Sequence, residues 1–243
     1  MTATIERGAA TEPVASAAPP PRKVRFLTSS NGKKVVMAVT GAVMVLFLVG
    51  HMVGNLKIFI GKDSFNEYAH ALRTLLEPIA PYRTLLTLVE IVLVVSVGLH
   101  IWAAVSLSRQ ARRARPVKYV ARKKSQASGY TTHIMRWGGV TIALFVVWHL
   151  LDLTFGVVNP KGTNSLPADR MIAGFDPSRW WVTIIYVVAV VMVGLHLRHG
   201  IWSMFQTVGR GTARLRPVAA LVSAVLVIGF LAPPLAITFG VVK

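Results

Sequence analysis

Residues 35–60 read VVMAVTGAVMVLFLVGHMVGNLKIFI, and the only ionisable side chains in this stretch are His51 and Lys57. At about 1.5 Å per residue, a helix of this length crosses a hydrocarbon core of roughly 30 Å. Four more stretches share the character: 84–107, 138–158, 180–205 and 217–240. Long core helices of a soluble bundle would carry a polar stripe, which these segments lack. The expected fold is an all-α integral membrane protein, a five-transmembrane-helix bundle over residues 35–240. Ahead of it, residues 1–34 are rich in Ala, Pro, Ser and Thr and contain Pro19-Pro20-Pro21. That composition cannot bury a core and reads as a flexible cytoplasmic arm. It does not read as a secretory signal, because its basic cluster is late and the apolar run behind it is too long.

The composition agrees. Of 243 residues 53% are hydrophobic and only 15% charged, which is too apolar for disorder or for an ordinary soluble domain. The chain has no cysteine, so disulfides, iron–sulfur clusters, c-type haem and cysteine nucleophiles are excluded. Lys and Arg number 27 against nine acidic residues, a formal net charge of +18. Eighteen of these cations fall in the arm, in the connection between the second and third stretches, and in the connection between the fourth and fifth. Eight lie on the opposite side, and Arg198 lies within a stretch. By the positive-inside rule the N-terminus is cytoplasmic and the C-terminus outside. The charge is therefore a topology signal and gives no reason to expect a nucleic-acid partner.

His51, His100, His149 and His196 fall one to each of the first four stretches, 49, 49 and 47 residues apart. Leu46-Phe47-Leu48-Val49-Gly50-His51 is echoed by Leu144-Phe145-Val146-Val147-Trp148-His149, and Val97-Gly98-Leu99-His100 by Val193-Gly194-Leu195-His196. One helical hairpin is used twice, with a period of about 97 residues. With Gly61, Arg83, Asn159 and Arg179 taken as the outer helix ends, His51 and His149 share one level. His100 and His196 share a second level about 10 Å deeper. Histidine inside a membrane is costly unless paired or ligated. One such residue reads as polar glue between helices. Four, matched two by two in depth, point to axial ligation of two b-type haems: His51 with His149 near the outside, His100 with His196 near the cytoplasm. A bare zinc or copper site would want three or four ligands at one depth.

His199 competes with His196 for the inner haem, being three residues on and on much the same face. With His196 as ligand, His199 and Arg198 suit haem-propionate contacts, and snorkelling to the interface is the alternative for Arg198. Gly50, Gly54, Gly98, Gly194 and Gly200 flank the ligand positions, either as clearance for a macrocycle or as ordinary helix-packing positions.

The histidine set, the string His51-Met-Val-Gly-Asn-Leu56, the segment Phe65-Asn-Glu-Tyr-Ala69 and the run His196-Leu-Arg-His-Gly-Ile-Trp202 resemble a known family. It is the dihaem cytochrome b membrane-anchor subunit of bacterial succinate dehydrogenases (succinate:menaquinone oxidoreductases) and the related fumarate reductases. The resemblance covers residues 30–240. It implies a subunit without a succinate site in the bacterial cytoplasmic membrane, relaying electrons from an iron–sulfur subunit through two bis-His b haems to menaquinone. A flavoprotein subunit would complete the complex. The cytochrome b subunit of a hydrogenase or formate dehydrogenase, and a haem-free anchor or transporter, are the alternatives. A quinone site needs a hydrogen-bond donor, a proton path and a cleft near a haem. Candidates are Glu67, His70, Arg73 and Glu77 in the first outer connection, with Glu90 and Asp152 in the membrane interior.

Overall fold

The computed structural model describes residues 26–114, 126–209 and 213–243. The arm up to residue 25, most of the basic connection after the second stretch, and residues 210–212 lie outside the described residues. Among those described there is helix and no strand.

Five long helices are apolar and long enough to cross a membrane. They are α1 (Ser30–Leu56), α3 (Thr84–Arg113), α4 (Gln126–His149, continued by a π-helical turn Leu150–Thr154), α6 (Trp180–Thr207) and α7 (Leu215–Thr238). Two short amphipathic helices, α2 (Lys62–Thr74) and α5 (Pro167–Gly174), follow α1 and α4 respectively. The repeated unit is thus long helix, short helix, long helix. The chain is a multi-pass membrane protein, with the all-α bundle expected from its sequence.

The helix boundaries follow local chemistry. α1 starts at Ser30, inside the expected arm, because the Ser29 hydroxyl accepts from the Gly32 amide at 2.9 Å and caps the first turn. At its far end a 3₁₀ turn over Lys57–Phe59 leads to Gly61 with φ 139°, a backbone that L side chains rarely adopt. α3 runs to Arg113, beyond its apolar stretch, and ends on Arg112 and Arg113, cations that suit a helix C-terminus. The third span ends at Thr154 rather than 158, because the π-helical turn closes it.

The packing has a centre and two outliers. α1, α6 and α7 pack on one another through Leu197, Ile201, Ala219 and Leu226, with Val45, Leu48 and Met52 of α1 against them. α6 and α7 approach closely where Gly194 faces Val227, and Ser223 Oγ donates to Gly194 O at 2.5 Å. Small residues permit such contact where lipid supplies no hydrophobic drive. α3 packs chiefly on α1 and α4 on α6; α3 does not pack closely on α6, nor α4 on α1. α3 accordingly exposes Val92, Val94, Val95, Leu99 and Ile101.

One end of the bundle is closed. There α2 and α5 pack on each other, with Asn66 Oδ1 accepting from the Ala168 amide at 3.1 Å. Beneath them Ile58, Phe65, Ala168, Met171, Phe175, Val182, Tyr186 and Ile237 form the second buried cluster. We call this the capped end and the opposite one the far end.

Candidate functional site

Four histidines meet in two pairs. The rings of His51 and His149 have centroids 5.8 Å apart, nearly perpendicular at 85°. Those of His100 and His196 are 6.3 Å apart at 56°. His51 and His149 each stand five residues before the end of the span that carries them, at Leu56 and Thr154. His100 and His196 each stand sixteen residues into a helix that starts at the capped end, at Thr84 and Trp180. The two levels read from the sequence are therefore present, the first near the capped end. Asn159 is not a helix end, and the level of His149 follows instead from the π-helical turn.

Each pair bridges helices that do not pack closely among the described residues, α1 to α4 and α3 to α6. This arrangement bears on whether a haem suits the residues present. Rings 5.8 and 6.3 Å apart leave room for one metal atom between each pair, so His51 with His149 and His100 with His196 would be the residues to hold it. Gly50, Gly98 and Gly200 have open space where a Cβ would stand, Gly50 and Gly98 on exposed faces of their helices. Gly54 and Gly194 do not: a Cβ there would meet Tyr68 and Val227, so these two are packing positions. Among the described residues no three metal-ligating side chains gather, and a two-ligand centre needs no third. The donor set fits a haem held by two imidazoles.

Two hydroxyls that the sequence reading missed reach these rings. Thr40 of α1 lies 3.2 Å from His100 Nδ1, and the Tyr186 hydroxyl of α6 lies 3.2 Å from His149 Nδ1. Both contacts use Nδ1, which leaves each Nε2 for another partner. Tyr186 is only 5% exposed and is clamped edge-on between Phe145 and Phe175, at 4.8 and 4.7 Å. His51 stacks on Phe47 at 5.2 Å and 13°. His196 Nδ1 is buried with no hydrogen-bond partner among the described residues.

The expected second-rank residues scatter. The Arg198 side chain lies on an exposed face of α6, which suits snorkelling better than a propionate contact, while His199 is partly buried beside His196. Trp102 and Trp202 carry Lys33 and Arg216 over their faces at 5.8 and 4.9 Å, pairings typical of a membrane interface. Glu67, His70 and Glu77 are exposed, and their side chains join no hydrogen bond or ion pair among the described residues. Arg73 bonds back to Ala69 O. Glu90 is exposed and paired with Arg83 at 3.0 Å. These five do not converge on one site.

Asp152 does belong to a site. It is fully buried in the π-helical turn, where Oδ1 accepts from Asn159 Nδ2 at 3.2 Å and from both Arg179 terminal nitrogens at 3.4 Å. Its Oδ2 is buried without a partner beside Gly174. Asn159 also donates to Arg170 O at 3.0 Å, and Arg170 Nη1 to Thr154 O at 2.6 Å. Burial, reinforced by nearby Arg73, holds the Arg170 guanidinium below its ordinary pKa. Asn159, Arg170 and Arg179 were not selected from the sequence, since loop polarity alone does not mark them. A shallow apolar groove between α6 and α7, lined by Trp180, Ile184, Leu235 and Phe239, lies at the same end. Its two hydroxyls are engaged, Thr183 with Thr238 at 2.6 Å and Thr238 with Phe175 O at 3.0 Å.

Comparison with protein-family models, with curated proteins and with solved structures finds no match to this chain.

Proposed function

We propose that the protein is the membrane-anchor cytochrome b subunit of a bacterial succinate:menaquinone oxidoreductase or fumarate reductase, holding two b haems. The observation that carries this reading is the pairing of four intramembrane histidines at two levels, with ring separations of 5.8 and 6.3 Å, across helices that otherwise stay apart. His51 and His149 hold one haem iron, His100 and His196 the other. A haem b so bound supplies one-electron transfer between ferric and ferrous iron.

The chain's own residues orient, exclude water and carry charge. Phe47, Phe145 and Phe230 pack on the first pair and keep it dry. Asp152 beside Arg179 is the carboxylate best placed for proton exchange with a quinone near the capped end, being buried with one oxygen free. The excess of Lys and Arg in the arm and in the connections opposite the capped end supports a cytoplasmic location for that side and an outside location for the capped end. It also gives iron–sulfur and flavoprotein subunits a basic surface to dock on.

The test is a reduced-minus-oxidised spectrum with haem quantitation on the protein purified from membranes. Two b-type haems per chain are expected, falling to one in His100→Ala and remaining two in His199→Ala. No b-type absorption, or one haem in the unaltered protein, would overturn the reading. Copurification of a flavin-containing subunit distinguishes this complex from other respiratory dehydrogenases.

A further inference from the structure

The two histidine pairs are related by an exchange that the sequence repeat does not reveal. Each level combines one histidine from a central helix (α1 or α6) with one from an outlying helix (α3 or α4). At each level the outlying histidine is also touched by a hydroxyl from the central helix on which it packs. At the capped level His51 of α1 faces His149 of α4, and Tyr186 of α6 reaches His149 Nδ1. At the other level His196 of α6 faces His100 of α3, and Thr40 of α1 reaches His100 Nδ1. Swapping α1 with α6 and α3 with α4 carries one level onto the other. Thr40 precedes His51 by eleven residues and Tyr186 precedes His196 by ten, on helices that run in opposite directions.

The direction of the Thr40 bond follows from its other contact. Its hydroxyl proton is directed to Val36 O at 2.8 Å, as for a threonine bonding back one turn. Its oxygen is therefore left to accept, and His100 Nδ1–H donates. Protonation at Nδ1 places the free lone pair of that imidazole on Nε2, the nitrogen left to face a metal. A second partner that fixes tautomer and ring orientation is what metal-bound histidine ordinarily has.

We propose that Thr40 and Tyr186 are paired positioning residues: Thr40 fixes the Nε2-ligating tautomer of His100, Tyr186 accepts from the Nδ1–H that a His149 bound through Nε2 would carry, and each sets the redox potential of its own level alone. The inference rests on the haem reading above. Accepting from Nδ1–H makes the imidazole a stronger electron donor, which favours ferric over ferrous iron and lowers the potential. The two devices differ in stiffness. Tyr186 is locked between Phe145 and Phe175, whereas Thr40 is held only by the backbone of α1.

The experiment is a potentiometric titration, with low-spin haem resonance spectra, of the haem-loaded protein purified from membranes as unaltered chain, Thr40→Val, Thr40→Ser and Tyr186→Phe. The two centres are assigned from His51→Ala and His100→Ala, each retaining one haem. Thr40→Val is expected to raise the potential of the His100–His196 centre only, with Thr40→Ser restoring it. Tyr186→Phe is expected to raise that of the His51–His149 centre only. Unmoved potentials in both variants, movement of both centres in either one, or loss of the haem in Tyr186→Phe would overturn the inference while leaving the haem reading intact. Absence of b haem from the unaltered protein would remove the reading and the inference together.

Discussion

Arg179 and Asp152 form an ion pair at 3.4 Å in which the carboxylate is fully buried and the guanidinium side chain 13% exposed. They come from different parts of the repeat, Asp152 from the π-helical turn after α4 and Arg179 from the turn that starts α6. The pair therefore ties the two arms of the second hairpin at the capped end, and Asn159 joins it to α5.

Breaking such a pair from one side leaves a buried charge without compensation, which costs about 3–5 kcal/mol. Arg179→Gln is expected to fall toward the low end of that range, since Asn159 still donates to the carboxylate. Asp152→Asn with Arg179→Gln should recover part of the loss, because no unpaired charge remains. Thermal unfolding of the three variants in detergent checks this; a double variant weaker than both singles would show that the pair is not the unit.

Asp152 and Glu90 make opposite predictions for quinone turnover. Glu90 and Arg83 are both nearly half exposed, and a pair of that kind contributes about 0–1 kcal/mol. Glu90→Gln should leave quinone-linked activity and stability close to the unaltered protein. Asp152→Asn should lower turnover at least tenfold with both haems still bound, if buried Asp152 carries the proton. Steady-state assays with a menaquinone analogue, normalised to haem content, measure the difference. Equal effects of the two substitutions would remove Asp152 from the site.

Gly194 shows why one helix contact tolerates no side chain. A Cβ on it would run into the Val227 side chain of α7, and its carbonyl accepts from Ser223. Gly194→Val is expected to cost about 1–3 kcal/mol by overpacking. Reducing the opposing residue, Val227→Ala, should restore part of this. The same thermal unfolding measurement follows both, and the pair should be non-additive.

The five spans and the two histidine levels were legible because length, apolar content and the 49-residue spacing are carried by single residues in order. The outlying positions of α3 and α4 were not, because every stretch is apolar all round and no stripe shows which face packs. Gly54 and Gly194 read equally as clearance for a ligand or as packing positions, and Tyr68 and Val227 decide for packing, a fact of neighbouring elements rather than of spacing. Thr40 and Tyr186 carried one usable signal, a hydroxyl ten or eleven residues before a histidine on α1 and α6. It gains meaning only when the antiparallel directions of those helices are known. Asn159 was taken for a helix end because the π-helical turn, which shortens the span and turns Asp152 inward, leaves no mark in hydropathy.

On the proposed reading, the division into a centre and two outliers would make the two haems structural as well as redox groups. α3 is held chiefly by α1, and the approach of His100 to His196 links it toward α6. A haem ligated there would fasten α3 to α6, and the capped-level haem would fasten α4 to α1. Anything that binds only the folded state stabilises it by mass action, so removing one haem should loosen one helix first. In His100→Ala, hydrogen–deuterium exchange is expected to rise over 84–113 while α6 and α7, locked by Gly194 and Ser223, stay protected. In His149→Ala the rise should move to α4. Uniform loss of protection in either variant, or none in α3 when its haem is gone, would show that protein packing alone holds the outlying helices.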